Sequence, residues 1–90
     1  MTTIKLLDAD IPAKLEWLRS FLAIVDTGGF TKAARVLRMS QPAVSTHIIE
    51  LEKNLGVKLF EKFGARIRMS SSGEAIVGEA RVLLDRVLGK

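Results

Sequence analysis

The chain has 90 residues, of which 48% are apolar, with two Pro, seven Gly, no Cys and a formal net charge of +4. This composition excludes an intrinsically disordered chain and indicates one small folded domain. The lack of cysteine excludes a disulfide framework and a thiolate metal site, and no apolar run approaches the length of a membrane span. We therefore expect a cytoplasmic protein with no cofactor and no membrane partner.

The positive charge is concentrated in the middle of the chain. From Phe30 to Met69 there are eight Lys or Arg and three Glu, a net charge of +5, whereas the other fifty residues carry six basic and seven acidic groups, a net charge of −1. Such a field suits a polyanion or an acidic protein surface. Ordinary solvated Lys and Arg on helix faces would have the same composition, so charge alone does not decide.

Two helices are predicted in the first half of the chain. Apolar residues recur at helical spacing from 14 to 26, and Gly28 in TGG is suited to a left-handed C-terminal cap. The polar residues of this segment are expected on its other faces: Arg19, Ser20 and Asp26. Thr31 is the expected N-cap of a second, short helix, KAARVLR.

The segment SQPAVSTHI, which begins at Ser40, predicts the start of a third helix. The Ser40 side chain can accept hydrogen bonds from free backbone N–H groups, and Pro42 in the first turn removes only an N–H that has no partner in the helix. Apolar residues from Val44 to Leu55 form one stripe that we expect to be buried, with Gly56 ending the helix. The small polar residues then face outward.

Residues 59–69 change to an alternating period around a Gly64 turn, which predicts a two-stranded hairpin. Its side chains are expected to alternate, with Ile67 and Met69 inward and the two arginines between them outward. A fourth helix follows, capped by Ser70 or by Ser71 paired with Glu74.

The apolar stripe of the fourth helix is wider than a small domain needs and suggests helix-to-helix dimerisation, although part of it can simply cover the first helix. The residues assigned to the dimer contact are Ile76, Val77, Ala80, Leu83, Leu84 and Val87. The predicted fold is mainly α: a winged helix-turn-helix with a three-helix core and a β-hairpin wing, followed by a long linker or dimerisation helix. The predicted boundaries are 1–13 for a lead-in, 14–69 for the winged domain and 70–90 for the linker helix.

Five linked blocks carry a family resemblance. GGFTKAA, SQPAVS, LE..LGVKLFE and R.R.S..G, with the helix after them, resemble the DNA-binding domain of LysR-type transcriptional regulators over about residues 15–88. The resemblance implies a bacterial, homodimeric regulator of transcription that binds double-stranded DNA, with the third helix in the major groove and the wing near the minor groove. Members also form larger assemblies, and their small-molecule effector binds a following domain that is absent here.

The predicted DNA contacts follow from chemistry and from the resemblance. Helix N-termini can seat phosphate, small apolar groups can touch thymine methyls, and polar side chains or Arg can reach base edges or a narrow minor groove. The residues assigned to DNA are Thr31, Lys32, Arg35, Ser40, Gln41, Pro42, Ala43, Ser45, Thr46, His47, Ile49, Lys53, Lys62, Arg66 and Arg68. Family roles carry over well to Gln41, Pro42 and Ser45, because these residues match the family.

Several assignments stay open. His47 is either a base or phosphate contact or a solvated helix residue, and Ile49 is either an apolar base contact or a packing residue. The basic residues have an alternative as ordinary exposed charges. No catalytic or metal-ligating pattern occurs, so the chain is predicted not to be an enzyme. The rival hypothesis is a protein-interaction module that uses the same face.

Overall fold

A computed structural model of the chain describes residues 11–88. Its elements in chain order are helices α1 (Ile11–Thr27), α2 (Phe30–Leu37) and α3 (Gln41–Leu55), strands β1 (Phe60–Phe63) and β2 (Arg66–Met69), and helix α4 (Ser71–Leu88). Helix α1 packs against α2, α3 and α4, and α2 packs on α3. This is the predicted order of a three-helix core, a hairpin wing and a final helix.

Helix α1 differs from the prediction in two respects. It begins at Ile11, three residues before the predicted boundary, and the rest of the predicted lead-in lies outside the described residues. Ser20 was expected on a polar face, but it is only 1% exposed. That expectation is wrong because α1 contacts helices on more than one side, so its buried surface is wider than one stripe. The end of the helix is as predicted, with Gly28 at φ 89°.

Helix α2 begins two residues earlier than predicted, at Phe30 instead of Lys32. Gly29 occupies the N-cap position in an extended conformation, no side chain caps the helix, and Thr31 lies inside its first turn. The expectation that Thr31 is the N-cap is therefore wrong. The helix includes Phe30 as its first residue, because the Phe30 ring packs against the Phe60 ring, with centroids 5.6 Å apart.

The core lies where α1, α2 and α3 meet. Phe21 and Leu18 of α1 contribute large buried side chains, and Ala33 and Ala34 of α2 are small enough to bring the neighbouring helices close. The predicted stripe of α3 is buried at Val44, Ile48 and Leu51, whereas Leu55 is only half-buried. The stripe holds one face of α3 against the core and leaves the opposite face to solvent.

The base of the wing is tied to both flanking helices. The Leu59 N–H donates to Glu52 Oε2 of α3 at 2.8 Å, and the Leu59 carbonyl accepts from the Ser70 N–H at 2.9 Å. Ser70 Oγ accepts from the Gly73 N–H at 3.0 Å, which makes Ser70 the cap of α4 out of the two candidates. The strands pair antiparallel with Lys62 opposite Ile67, so the wing is held at its base and free at its tip.

Helix α4 buries part of its apolar stripe against its own chain. The side chains covered in this way are Ile76, Ala80 and Leu84. Because intrachain packing already covers them, they leave Val77, Leu83 and Val87 for the predicted dimer contact. Among the described residues, no helix is both long enough and apolar enough to cross a membrane.

An ion pair between Asp26 and Arg81 joins α1 to α4. Arg81 Nη2 donates to Asp26 Oδ1 at 2.6 Å and Nη1 donates to Oδ2 at 3.4 Å. The hydrogen bond from Arg81 lowers the pKa of Asp26 below its ordinary value of 3.8. Both side chains are about half exposed, so we expect the pair to contribute only about a few tenths of a kcal/mol to the free energy of unfolding.

This pair predicts a pH dependence of stability. Because the folded pKa of Asp26 is lowered, its contribution is fully present above pH 3.8 and is lost as the pH falls through the folded pKa. We therefore expect Asp26→Asn to be slightly less stable than wild type at pH 6 and equally stable at the lowest pH values. Urea unfolding at several pH values measures this, and a difference that grows on acidification would contradict it.

Candidate nucleic-acid interface

The turn between α2 and α3 has the geometry of a helix-turn-helix. Arg38 takes a left-handed conformation at φ 58°, and the Met39 N–H donates to the Ala34 carbonyl at 2.9 Å. Ser40 is extended and its Oγ accepts from the Ala43 N–H at 3.2 Å, which confirms the predicted cap. Pro42 lies in the first turn of α3, as expected. The first turn of α3 therefore lies at the surface of the domain.

The N-terminal half of α3 presents a small polar surface. Its exposed residues are Gln41, Pro42 and Thr46, and its half-exposed residues are Ala43 and Ser45. Because the opposite stripe is locked in the core, these side chains keep a fixed position relative to the rest of the domain. Their mixture of hydroxyl, amide and methyl groups matches what base edges in a major groove present.

Ile49 faces outward from α3. It is 51% exposed and lines a hollow of about 250 Å³ between α3 and the wing, together with Phe60 and Lys62. The alternative that Ile49 is a packing residue misplaced by the helical period is therefore wrong. An exposed apolar residue here can contact either a base or a partner protein.

The His47 side chain is partly enclosed by the domain, whereas the sequence suggested a solvent-facing or DNA-facing ring. Its imidazole is half-buried, and Nδ1 lies 2.7 Å from Oγ of Ser20 in α1, so one edge of the ring is occupied within the domain. Sequence reasoning missed this contact because the two residues are 27 positions apart and Ser20 was placed on a polar face. Within residues 11–88, no cluster of His, Asp and Glu is arranged to hold a metal ion.

The basic residues fall into two classes. Of the six basic residues assigned to DNA, four are exposed and make no ion pair within the described part of the chain: Lys32, Arg35, Lys62 and Arg66. Lys53 Nζ lies 3.8 Å from Glu50 Oε2, and Arg68 Nε lies 3.6 Å from Glu61 Oε2. The first class presents uncompensated charge, whereas the charge of the second class is partly neutralised.

The structure brings several of the predicted residues together in two places and leaves Lys53 apart from both. A hollow of about 550 Å³ joins the start of α2 to the wing and is lined by Thr31, Lys32 and Arg66. The second group is the exposed first half of α3. Lys53 lies about 18 Å along α3 from Gln41, from the rise of 1.5 Å per residue, beside a hollow that it shares with Lys58.

One exposed aromatic residue was missed by sequence reasoning. Phe63, at the end of β1, is 60% exposed, and the guanidinium of Arg68 lies 4.2 Å from its ring centroid. The contact fixes the Arg68 side chain over the outer face of the wing through a cation–π interaction. The strand alternation contained a signal, because Phe63 pairs with the outward-facing Arg66 in the hairpin.

Curated proteins with similar sequences are transcriptional regulators. The chain is 39% identical over 67 residues to an HTH-type transcriptional regulator in the ibpB-leuC intergenic region of Azotobacter vinelandii, covering 74% of this chain and 46% of that protein. It is 40% identical over 70 residues to the HTH-type transcriptional regulator CitR of Bacillus subtilis, covering 78% of this chain and 24% of CitR. The chain therefore spans less than half the length of these relatives.

The fold is also similar to that of a solved DNA-binding domain. A solved complex of the BenM DNA-binding domain with catB site 1 DNA superposes with a TM-score of 0.75 at 37% identity, covering 81% of this chain and 82% of that one. This confirms the predicted winged helix-turn-helix fold. The profile of the bacterial regulatory helix-turn-helix proteins of the lysR family matches residues 15–74, two thirds of the chain. The chain belongs to the LysR family of bacterial helix-turn-helix regulatory proteins.

Proposed function

We propose that the chain is a sequence-specific double-stranded DNA-binding domain that regulates transcription and is not an enzyme. The observation that carries the proposal is the exposed polar first half of α3, capped by Ser40 and held by a buried stripe on its opposite face. The similarity to a DNA-binding domain solved on its DNA site supports it over four fifths of the chain. In this proposal α3 enters the major groove and the wing approaches the neighbouring minor groove.

The charges support the same orientation. The N-terminus of α3 carries a partial positive charge from the helix dipole, which favours a phosphate near Gln41. Uncompensated Lys32 and Arg66 flank the hollow between α2 and the wing, where they can contact the backbone on one side of the groove. The uncharged half of α3 between these positive groups is then left to contact bases.

Selection from a random duplex library tests the proposal. The domain is incubated with the library at moderate salt, and the retained duplexes are sequenced. An enriched inverted repeat would support sequence-specific binding by a two-fold dimer, because a symmetric protein reads symmetric half-sites. Retention of unrelated duplexes alone would reduce the proposal to non-specific binding, and no retention at low salt would exclude it for this domain.

Two substitutions on α3 measure base contacts. Gln41→Ala and Ser45→Ala are each expected to weaken binding to the selected duplex by about 1–3 kcal/mol if they remove a base contact. Lys32→Ala is the control, because Lys32 is proposed to contact the DNA backbone, and loss of a backbone contact lowers affinity for all sequences alike. The dissociation constant of each variant is measured on the selected duplex and on a scrambled duplex. An equal loss of affinity on both would show that Gln41 and Ser45 touch only the backbone.

A homodimer through α4 is the second part of the proposal. Val87 is 49% exposed near the end of α4, and Val77 and Leu83 of the same helix are half-buried at the edge of the core. These apolar residues continue the stripe whose first part packs on the chain's own core, so a second copy of α4 can cover them. Larger assemblies and binding of a small-molecule effector would depend on the rest of an intact regulator.

A protein-interaction module is the alternative function. Ile49 and Phe63 favour it, because both are large, apolar and more than half exposed on or beside the proposed DNA surface. A salt titration separates the two functions. Binding through Z phosphates gives a slope of about −0.9Z in log K against log salt, whereas an apolar protein contact is nearly independent of salt.

A further inference from the structure

A side-chain hydrogen bond joins Ser20 of α1 to His47 of α3. Ser20 lies in α1 and is 1% exposed, and its Oγ is 2.7 Å from Nδ1 of His47 in α3. Resting on the proposed function, we propose that Ser20 holds the His47 ring as the tautomer with its hydrogen on Nε2. The Nε2–H then donates to a hydrogen-bond acceptor of the DNA.

The direction of the bond follows from what the Ser20 hydroxyl can reach. Among the described residues, Ser20 has no hydrogen-bond partner other than His47. If Nδ1 carried the hydrogen, Ser20 would accept and its own O–H would be buried without an acceptor, which is unfavourable. Ser20 therefore donates, Nδ1 accepts, and the hydrogen of the neutral ring lies on Nε2.

The outer nitrogen of the ring is available to a ligand. Within the described residues, Asn54 Oδ1 is the one buried side-chain nitrogen or oxygen that lacks a partner. His47 Nε2 has no partner in the domain either, so it is reached by solvent. His47 also directly follows the exposed Thr46 on the half of α3 that faces DNA in the proposed function.

A fixed Nε2–H donor selects its partner by chemistry. In the major groove it fits guanine N7 or O6, adenine N7 or thymine O4, and it is repelled by the N4–H₂ donor of cytosine. A phosphate oxygen is an acceptor of the same kind. A histidine free to exchange tautomers could meet a donor or an acceptor, so Ser20 narrows what His47 can bind.

The tautomer is measured first, on the free protein. His47 is the only histidine in the chain, so the ring nitrogens give one unambiguous set of ¹⁵N signals. Long-range ¹H–¹⁵N spectra of the neutral ring are expected to show a hydrogen-bearing Nε2 and a bare Nδ1. In Ser20→Ala the two tautomers are expected to mix. A hydrogen on Nδ1 in the wild-type protein would overturn the inference.

Two substitutions of His47 then separate the inner and outer nitrogens. Asn has an acceptor near the position of Nδ1 and nothing at Nε2, whereas Gln reaches the position of Nε2 but leaves Ser20 without an acceptor. We expect His47→Asn to bind the selected duplex roughly tenfold more weakly with an unchanged melting temperature. We expect His47→Gln to keep affinity within about threefold of wild type and to melt at a lower temperature.

The pattern of loss distinguishes the two sources of the acceptor. If the preference for one base disappears in the library selected by His47→Asn, the acceptor is a base edge. If affinity falls equally on selected and scrambled duplexes, it is a phosphate oxygen. Unchanged affinity on both would overturn the assigned donor role. Absence of wild-type binding to any duplex would refute the proposed function, whereas the tautomer is decided by its own spectra.

Discussion

Replacing Gly73 by Ala is expected to lower the free energy of unfolding by about 2–3 kcal/mol, the upper range for overpacking in a protein interior. Gly73 lies in the first turn of α4, where a Cβ atom would overlap the backbone carbonyl of Leu59. That carbonyl is fixed because it accepts the Ser70 N–H at 2.9 Å, and the Leu59 N–H is bound to Glu52. Neither partner can move without breaking the base of the wing. Urea unfolding monitored by circular dichroism measures the loss.

Gly78 provides the matched control in the same helix. It is exposed, and a Cβ atom there would meet no other atom within 4 Å. Gly78→Ala is therefore expected to gain up to about 1 kcal/mol of stability from helix propensity alone. The same substitution should thus have opposite signs at two positions five residues apart. If both variants gained stability, the close approach of α4 to Leu59 would not constrain the fold.

Replacing Val87 by Glu is expected to weaken the proposed homodimer at least a hundredfold. A two-fold interface contains each residue twice, and burying two valines contributes about 3 kcal/mol, which corresponds to roughly two powers of ten in the dissociation constant. A charge in their place adds a desolvation cost. Sedimentation equilibrium over a range of protein concentrations measures the change.

Val82 is the control for this prediction. It is 53% exposed against 49% for Val87, but it lies about 140° away around α4, at 100° per residue. Val82→Glu introduces the same charge on the same helix and is expected to leave association unchanged. Loss of the dimer in both variants would indicate a general effect of charge on α4. Loss in Val82→Glu alone would place the interface on the opposite face.

Local sequence determined the elements of this protein. The Ser40 cap, the Pro42 helix start, the left-handed Gly28 and the end of α3 at Gly56 are each decided by the conformational preferences of one or two residues, so they were predictable and are confirmed. The inward and outward sides of β2 followed from alternation, and the outward face of α3 followed from its buried stripe. In all of these cases the physical cause acts within a few positions of the residue.

The candidate site was predictable in part for the same reason. Exposure of Gln41, Pro42 and Thr46 follows from the period of one helix and was anticipated correctly. Whether these side chains contact DNA remains a prediction. The exposed Phe63 was missed, because strand alternation indicates which side a residue faces but not whether another element covers that side.

Only the tertiary structure decided which surfaces meet. Ser20 is buried because α1 contacts several helices at once, and its bond to His47 joins positions 27 residues apart. The apolar stripe of α4 is divided in the same way, with Ile76, Ala80 and Leu84 packed into the chain's own core and Val87 left exposed. A sequence period states how wide an apolar face is. How much of that face the same chain covers depends on contacts between segments that are distant in sequence, and local preferences contain no information about them.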